Sequence, residues 1–164
     1  MVFPQDTNRA PLEYSLVHLV NERLQLGVEY NYSEDNFSPV AMYRLIDATE
    51  KTPAVMIGTS SAWPSSQVDG NAYTVTLAKM LDEDTSATLA AAYIPDNEDW
   101  LMPASLSRRL TDNISMSIMY DGADLHPLLI MDREEASISL ILLGGEDPAI
   151  SIDQLQHFPQ HEQE

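Results

Sequence analysis

The sequence predicts an all-β protein: an antiparallel up-and-down meander that closes into a barrel of about 8–10 strands. Apolar residues alternate with small or polar residues along most of the chain, which is the period of strands with two unlike faces. Short polar turn segments separate these stretches at the spacing of hairpins. The best rival helix, residues 72–81, contains Thr, Val and Tyr residues that favour a strand.

The predicted strands follow one another along the whole meander. Unbroken alternation predicts five of them, at residues 24–32, 73–77, 87–93, 114–120 and 138–142. Weaker alternation predicts five more, at residues 12–19, 37–46, 54–59, 101–110 and 125–131. Pro39, Pro103 and Pro127 lie in three of the weaker strands, and proline cannot donate to the ladder. We therefore expect a bulge, an edge position or a late start at each proline.

We expect one folded unit followed by a tail. Residues 1–143 form the predicted β-barrel domain, since a chain of 164 residues suits one domain. Residues 144–164 form a polar, acidic tail rich in Gln, Glu, Asp, His and Pro. We expect this tail to be partly disordered, above all in its last ten residues.

The composition is strongly acidic, with 26 Asp and Glu against 8 Lys and Arg and a formal net charge of -18. Such a surface repels phosphate backbones, so we expect no nucleic-acid partner, and it also argues against anionic lipid headgroups. The absence of cysteine excludes disulfides and thiol catalysis. No apolar run approaches the roughly 18 residues of a membrane helix, and the first residues lack the basic and apolar regions of an export signal.

Most aromatic residues lie at one end of the predicted meander. If each strand reverses direction, the turns near residues 33–36, 60–71, 95–99 and 121–123 share an end. The predicted aromatic rim at this end consists of Tyr30, Tyr32, Phe37, Tyr73, Tyr93, Trp100 and Tyr120. A rim of this kind is typical of the aromatic girdle at a membrane interface. It also fits a soluble barrel whose rim is plugged by aromatic side chains.

The second face of the predicted strands carries mostly Ser, Thr, Ala, Gly and Asn, with few charges. A water-facing surface of this kind is poorly protected against edge pairing, whereas a lumen can be lined by it, so the pattern favours a membrane barrel. Glu29 and Arg44 are the clearest charges on this face, and they lie on adjacent predicted strands. They form either a polar pair across the lumen or an incidental surface pair.

Acidic and histidine residues give no convincing metal site. His157 and His161 have the spacing of a helical metal-binding pair, but they lie in the polar tail. The acidic segments 82–84 and 132–135 lack the loop spacing of a known calcium motif. Solvated turns and a solvated tail are the favoured interpretations, so we predict no metal site and no cofactor.

Nucleophilic catalysis would depend on Ser60 or Ser61. Either hydroxyl needs an oriented base, and His18 and His126 are the histidines outside the tail. No spacing in the sequence brings a histidine to these serines. We therefore predict no catalytic residue, and a non-enzymatic protein is favoured.

Three turn-containing segments resemble hairpins of small bacterial outer-membrane β-barrel proteins. The segment Asp-Asn-Phe-Ser-Pro at residues 35–39, followed by residues 42–45 and 52–59, is similar to one hairpin of that family. Residues 71–79 resemble its next strand, and Met-Tyr-Asp-Gly-Ala-Asp-Leu at residues 119–125 resembles a late hairpin with an aromatic-Asp-Gly turn. The resemblance spans residues 24–143 and implies a small barrel in the bacterial outer membrane.

Two functional hypotheses follow. The leading one is a non-enzymatic outer-membrane-type β-barrel, acting as a surface protein, a scaffold or a narrow pore, with the lipid bilayer as its partner. The alternative is a soluble, cytoplasmic β-barrel or β-sandwich that binds an apolar ligand or a protein partner and can self-assemble into a homo-oligomer. A membrane-embedded hydrolase ranks third.

Overall fold

The computed structural model describes residues 13–31, 35–60, 71–96, 98–133 and 136–154. Within these residues the chain is all β and contains no helix. The twelve strands are β1 (Glu13–Asn21), β2 (Leu24–Asn31), β3 (Asn36–Ile46), β4 (Ala54–Ser60), β5 (Ala72–Met80), β6 (Thr85–Ile94), β7 (Asp99–Leu101), β8 (Ala104–Thr111), β9 (Ile114–Tyr120), β10 (Leu125–Asp132), β11 (Ala136–Leu143) and β12 (Asp147–Gln154).

The strands form one antiparallel meander, which confirms the predicted fold class at this level. Neighbouring positions in the sheet follow chain order from β1 to β12. The structure has twelve strands, more than the 8–10 predicted. Within the described part of the chain β1 and β12 do not pair with each other, so the sheet is open and the predicted closure into a barrel is not seen.

Strands β7 and β8 occupy a single position in the sheet. Both pair with β6 in the same register, since Ala92 faces Leu101 and Leu89 faces Ala104. Pro103 lies between them and has no N–H to donate, although its carbonyl accepts from Ala90 N–H at 2.7 Å. The meander therefore has eleven positions. Because eleven is odd, β1 and β12 run in the same direction.

The other two prolines lie where one neighbouring ladder is missing. Pro39 pairs with Val28 of β2, but the ladder to β4 begins two residues later, at Ala41. Pro127 pairs with Ile118 of β9, but the ladder to β11 begins at Leu128. The predicted late starts are found at both sites, and β10 continues through Pro127.

The register separates two unlike faces, as alternation predicts. We call one the apolar face. Its side chains include one set of cross-strand neighbours from β2 to β6: Leu24, Tyr43, Ile57, Val75 and Ala91. We call the other the small-residue face. The next set of cross-strand neighbours from β2 to β6 lies on it: Gln25, Met42, Gly58, Thr74 and Ala92.

The meander also has two unlike ends. The aromatic end holds the connections after β2, β4, β6, β9 and β11. The cation-bearing end holds the connections after β1, β3, β5, β8 and β10. All described lysines and arginines lie at or near this second end: Arg23, Arg44, Lys51, Lys79, Arg108, Arg109 and Arg133.

The buried residues are few and small. An apolar cluster of Ala72, Ala92 and Ile94, packed by Leu101, lies on the small-residue face near the aromatic end.

Strand β12 extends the sheet into the predicted tail, because Ile150 and Ile152 pair with Leu140 and Ile138 of β11. The sheet thus ends later than the predicted boundary at residue 143. The last ten residues of the chain, predicted to be disordered, lie outside the described residues.

Candidate functional site

The largest candidate site is the apolar face itself. Its large side chains are the exposed ones: Ile57, Val75, Leu89, Leu106, Ile118 and Leu140 all keep more than a third of their surface accessible. The buried strand residues lie on the opposite face, among them Ala72, Ala92, Ser117, His126 and Ser139. A water-soluble monomer rarely leaves a contiguous apolar surface of this extent uncovered. The apolar face therefore needs an apolar environment or an apolar partner.

The described aromatic-rim residues lie together on the apolar face at the aromatic end. Tyr30 and Phe37 stack with ring centroids 4.6 Å apart, and Tyr93 and Trp100 stack at 5.1 Å. Tyr73 pairs with Tyr93 across β5 and β6. Phe37, Tyr73 and Trp100 are 67%, 64% and 71% exposed.

Tyr120 completes the described part of this row. It pairs with Ala104 of β8 on the same face, and its hydroxyl donates to the Gly122 carbonyl at 2.8 Å. Tyr32, the remaining predicted member, lies outside the described residues. The row places amphipathic rings along one border of the apolar face.

A shallow apolar groove crosses the apolar face between β2 and β6. Its volume is about 510 Å³. Small residues, including Ala41, Gly58 and Ala91, line it together with Tyr43 and Trp100. Because the lining is nearly all apolar, the groove suits an acyl chain or another apolar group rather than a charged substrate.

The small-residue face is held by hydroxyl pairs between strands. Thr88 and Ser105 hydroxyls are 2.7 Å apart across β6 and β8, and Ser107 and Ser117 hydroxyls are 2.8 Å apart across β8 and β9. These bonds satisfy polar groups that pack within the sheet. They give this part of the face, across β6, β8 and β9, an uncharged polar surface.

A buried Asp–His pair lies at the aromatic end. Asp121 and His126 are each 1% exposed, and Asp121 Oδ2 is 3.0 Å from His126 Nε2. Asp121 Oδ1 accepts the N–H groups of Ala123 and Asp124. Gly144 N–H donates to His126 Nδ1 at 3.1 Å. The imidazole thus joins the β9–β10 turn to the β11–β12 turn.

The hydrogen bond from Gly144 assigns the tautomer of the His126 imidazole. Because Nδ1 accepts from Gly144, Nε2 carries the proton that His126 donates to the Asp121 carboxylate. Burial raises the pKa of Asp121, but the N–H donors of Asp124 and Ala123 and the contact with His126 outweigh it. The net pKa lies below the ordinary 3.8. Both ring nitrogens are engaged, so His126 acts as a structural link.

Glu29 and Arg44 share the small-residue face, but the structure does not bring them together. Glu29 pairs with Ser38 on β3, and Arg44 lies six residues further along that strand, which is about 20 Å. Arg44 instead donates to the Glu22 carbonyl and lies 3.2 Å from Asp47. Arg23 completes this ion-pair group with Asp47 at 2.5 Å.

Ser60, one of the two serines considered as a nucleophile, lies on a strand distant from both candidate bases. Ser60 pairs with Ala72 between β4 and β5. His18 is three strands away on β1 and shares the apolar face with Leu26. His126 is on β10, beyond four intervening positions of the sheet. Ser61 lies outside the described residues.

The acidic turn between β5 and β6 has a structural role. Asp82 Oδ1 accepts the N–H groups of Asp84 and Thr85 at 2.9 and 2.7 Å, which closes the β5–β6 turn. Among the described residues no group of three or more acidic or histidine side chains is placed to hold a metal ion. Glu134, Glu135, His157 and His161 lie outside the part of the chain that the structure describes.

No protein-family model, curated protein or solved structure matches this chain. In the described part of the chain no helix is long and apolar enough to cross a membrane. The function must therefore be inferred from the geometry of the sheet.

Sequence reasoning identified the two faces and the aromatic end but missed three features. The Asp121–His126 link depends on the register that brings Gly144 beside β10, which no local motif encodes. The groove arises from small residues on four strands. The segregation of cations to one end was readable from the sequence once the strand directions were assigned.

Proposed function

We propose that this chain is a membrane β-sheet protein of the outer-membrane type, with its apolar face against lipid and its small-residue face toward a narrow interior. It is a non-enzymatic scaffold, surface protein or narrow pore. The observation that carries the proposal is the inverted burial: large apolar side chains are exposed, whereas Ser, Ala and His side chains on the other face are buried. A transmembrane strand has this pattern, since lipid solvates its outer residues.

Three further features support lipid contact. The longer strands, β3 and β6 with 11 and 10 residues, match the roughly 9–11 residues of a tilted membrane strand. Phe37, Tyr73 and Trp100 lie on the apolar face at one end, where an interface girdle would be. The hydroxyl pairs on the other face leave few polar groups to satisfy in the interior.

Detergent dependence tests this proposal. The purified chain is expected to be monodisperse only in detergent or lipid and to aggregate when detergent is removed, because the apolar face is then exposed to water. Sedimentation before and after detergent removal measures this. A monodisperse, folded chain without detergent would contradict the membrane assignment.

Closure of the sheet is the finer part of the proposal. An N–H or C=O group left unpaired on an outer strand would cost several kcal/mol in lipid, so a membrane-spanning sheet must pair its first and last strands. We infer that β1 pairs with β12. The pairing is parallel because the sheet has eleven positions. An odd count departs from the even strand numbers of bacterial outer-membrane barrels.

Disulfide mapping tests the closure, and the chain has no native cysteine to interfere. Leu16→Cys on β1 is combined in turn with Ile150→Cys and Ile152→Cys on β12. At least one pair is expected to cross-link within a monomer, since bridging needs Cα atoms within about 7 Å. Leu16→Cys with Ile118→Cys, on the distant β9, is the control. Cross-links between two chains would indicate a homo-oligomer, and no cross-link would indicate open edges.

The groove favours a second candidate, a protein that binds an apolar ligand. A dye that fluoresces in apolar sites is expected to bind the wild type, and Ala91→Phe is expected to abolish binding because it fills the groove. Ala104→Phe, on the apolar face but outside the groove, is the matched control. Equal loss in both variants would contradict a specific ligand site.

A further inference from the structure

The two outermost strands, β1 and β12, carry the apolar face to both edges of the sheet. On β1 the exposed side chain of Leu16 lies on this face, opposite Val28 of β2. On β12 the exposed side chain of Ile152 lies on it, opposite Ile138 of β11. Whatever covers the apolar face of the inner strands must therefore cover β1 and β12 as well.

Both outer strands also run the whole length of the strands beside them. The β1–β2 ladder extends from Glu13 to Asn21 on β1 and takes in all of β2. The β11–β12 ladder extends from Asp147 to Gln154 on β12 and takes in all of β11. A sheet that crosses a membrane at β2 and β11 therefore also crosses it at β1 and β12.

The odd number of positions in the sheet separates its two chain ends. Neighbouring strands are antiparallel throughout, and β7 and β8 share one of the eleven positions. Strand β1 begins at the aromatic end, where Glu13 pairs with Asn31. Strand β12 ends at the cation-bearing end, where Gln154 pairs with Ala136. An even number of antiparallel crossings would instead return the chain to the side on which it started.

We propose that β1 begins on one side of the membrane and β12 ends on the other, so that the segments flanking the sheet lie in different compartments. The proposal rests on lipid contact of the apolar face, as proposed above. It does not depend on closure, because the strand directions are the same whether or not β1 pairs with β12.

This topology suits a scaffold that joins a partner in one compartment to a partner in the other. Bacterial outer-membrane barrels formed by a single chain have even strand numbers, so their first strand begins and their last strand ends on the same side. The eleven positions of this sheet give the chain one flanking segment on each side instead.

Paired cysteines test the topology, because the chain has no native cysteine. Glu13→Cys is combined with Gln154→Cys in the full chain, which is reconstituted in phosphatidylcholine vesicles. A membrane-impermeant polymer that carries one maleimide is added outside, and a gel counts the polymers on each molecule. We expect one polymer on every molecule whichever way it inserts, since one cysteine always faces outward. Molecules with two polymers or with none would place both cysteines on one side and overturn the proposal.

Two control pairs use exposed residues in connections between strands. Glu50→Cys with Asp112→Cys, both at the cation-bearing end, is expected to give molecules with two polymers or with none. Glu50→Cys with Asp96→Cys, at opposite ends, is expected to give one polymer on every molecule. In detergent each pair should take two polymers. Failure of the membrane proposal is distinct, since the Glu50 and Asp96 pair would then take two polymers on every molecule in vesicles.

Discussion

His126 shows how a single side chain substitutes for missing ladder bonds. The β10–β11 ladder stops beside Pro127, and the imidazole accepts Gly144 N–H just beyond that point. The same ring donates to Asp121, which itself holds the β9–β10 turn. One buried residue thus fixes the relative position of two connections at the aromatic end.

Replacing this imidazole should destabilise the fold. His126→Ala leaves the buried Asp121 carboxylate and Gly144 N–H without these partners, and each unsatisfied group costs about 1–3 kcal/mol. We expect a loss of about 3 kcal/mol in the free energy of unfolding, measured with urea in detergent micelles. Lys51→Ala, at an exposed side chain between β3 and β4, should change it by less than about 0.5 kcal/mol. Similar losses in both variants would contradict the link.

Asp121 should make stability depend on acid pH. Its folded pKa lies below the ordinary 3.8, so its stabilisation is fully present above that value and is lost as pH falls through the folded pKa. Unfolding free energies of the wild type and Asp121→Asn are compared between about pH 6 and pH 2.5. The difference should be constant above 3.8 and shrink below it. A difference that grows with acidity would contradict the assignment.

At the scale of the elements, the β9–β10 turn is tightly packed against β7. Gly122 has φ +109°, and a Cβ there would lie 2.8 Å from Leu101 Cβ. Gly145, in the β11–β12 turn, has φ +80° but open space around the same position. An added Cβ would therefore meet only backbone strain at Gly145, but both backbone strain and a steric clash at Gly122.

Alanine at these two positions should have unequal effects. Gly145→Ala adds only the strain of a positive φ, about 1–2 kcal/mol. Gly122→Ala adds the clash with Leu101 and should cost about 3 kcal/mol or more. Urea unfolding in the same detergent measures both. Equal costs would show that the turn does not press on β7.

Alternation of apolar with small or polar residues predicted most strands, because this two-residue period is visible within each strand's own sequence. It located the strand from Ile114 to Tyr120 at its observed bounds. It did not locate β12, because acidic and polar residues surround Ile150 and Ile152 and the strand is recognisable only by its pairing with β11. The shared position of β7 and β8 was also hidden, since sequence places Pro103 inside one strand but does not show that the strand divides.

At the scale of the whole molecule, the two faces of the sheet differ in how much apolar surface they bury. The described residues bury six apolar side chains, too few to stabilise a soluble domain of this size: Ala54, Ala72, Ala92, Ile94, Leu143 and Ala149. The exposed apolar face is much larger. Stability must therefore come from what covers that face, which we propose to be lipid. The membrane assignment and the closure stay predictions. The first depends on lipid against the apolar face and the second on pairing of β1 with β12, and strand register within the sheet determines neither.

Accessibility along β5 tests the central claim most directly. Because the chain lacks cysteine, a nitroxide can be placed singly at residues 73–78 in vesicles. Oxygen, which concentrates in lipid, should reach Tyr73, Val75 and Leu77 positions more than Thr74, Thr76 and Ala78, and a water-soluble nickel complex should not reach the first set. A nickel complex that reaches Tyr73, Val75 and Leu77 freely, or accessibility without a period of two, would contradict the account.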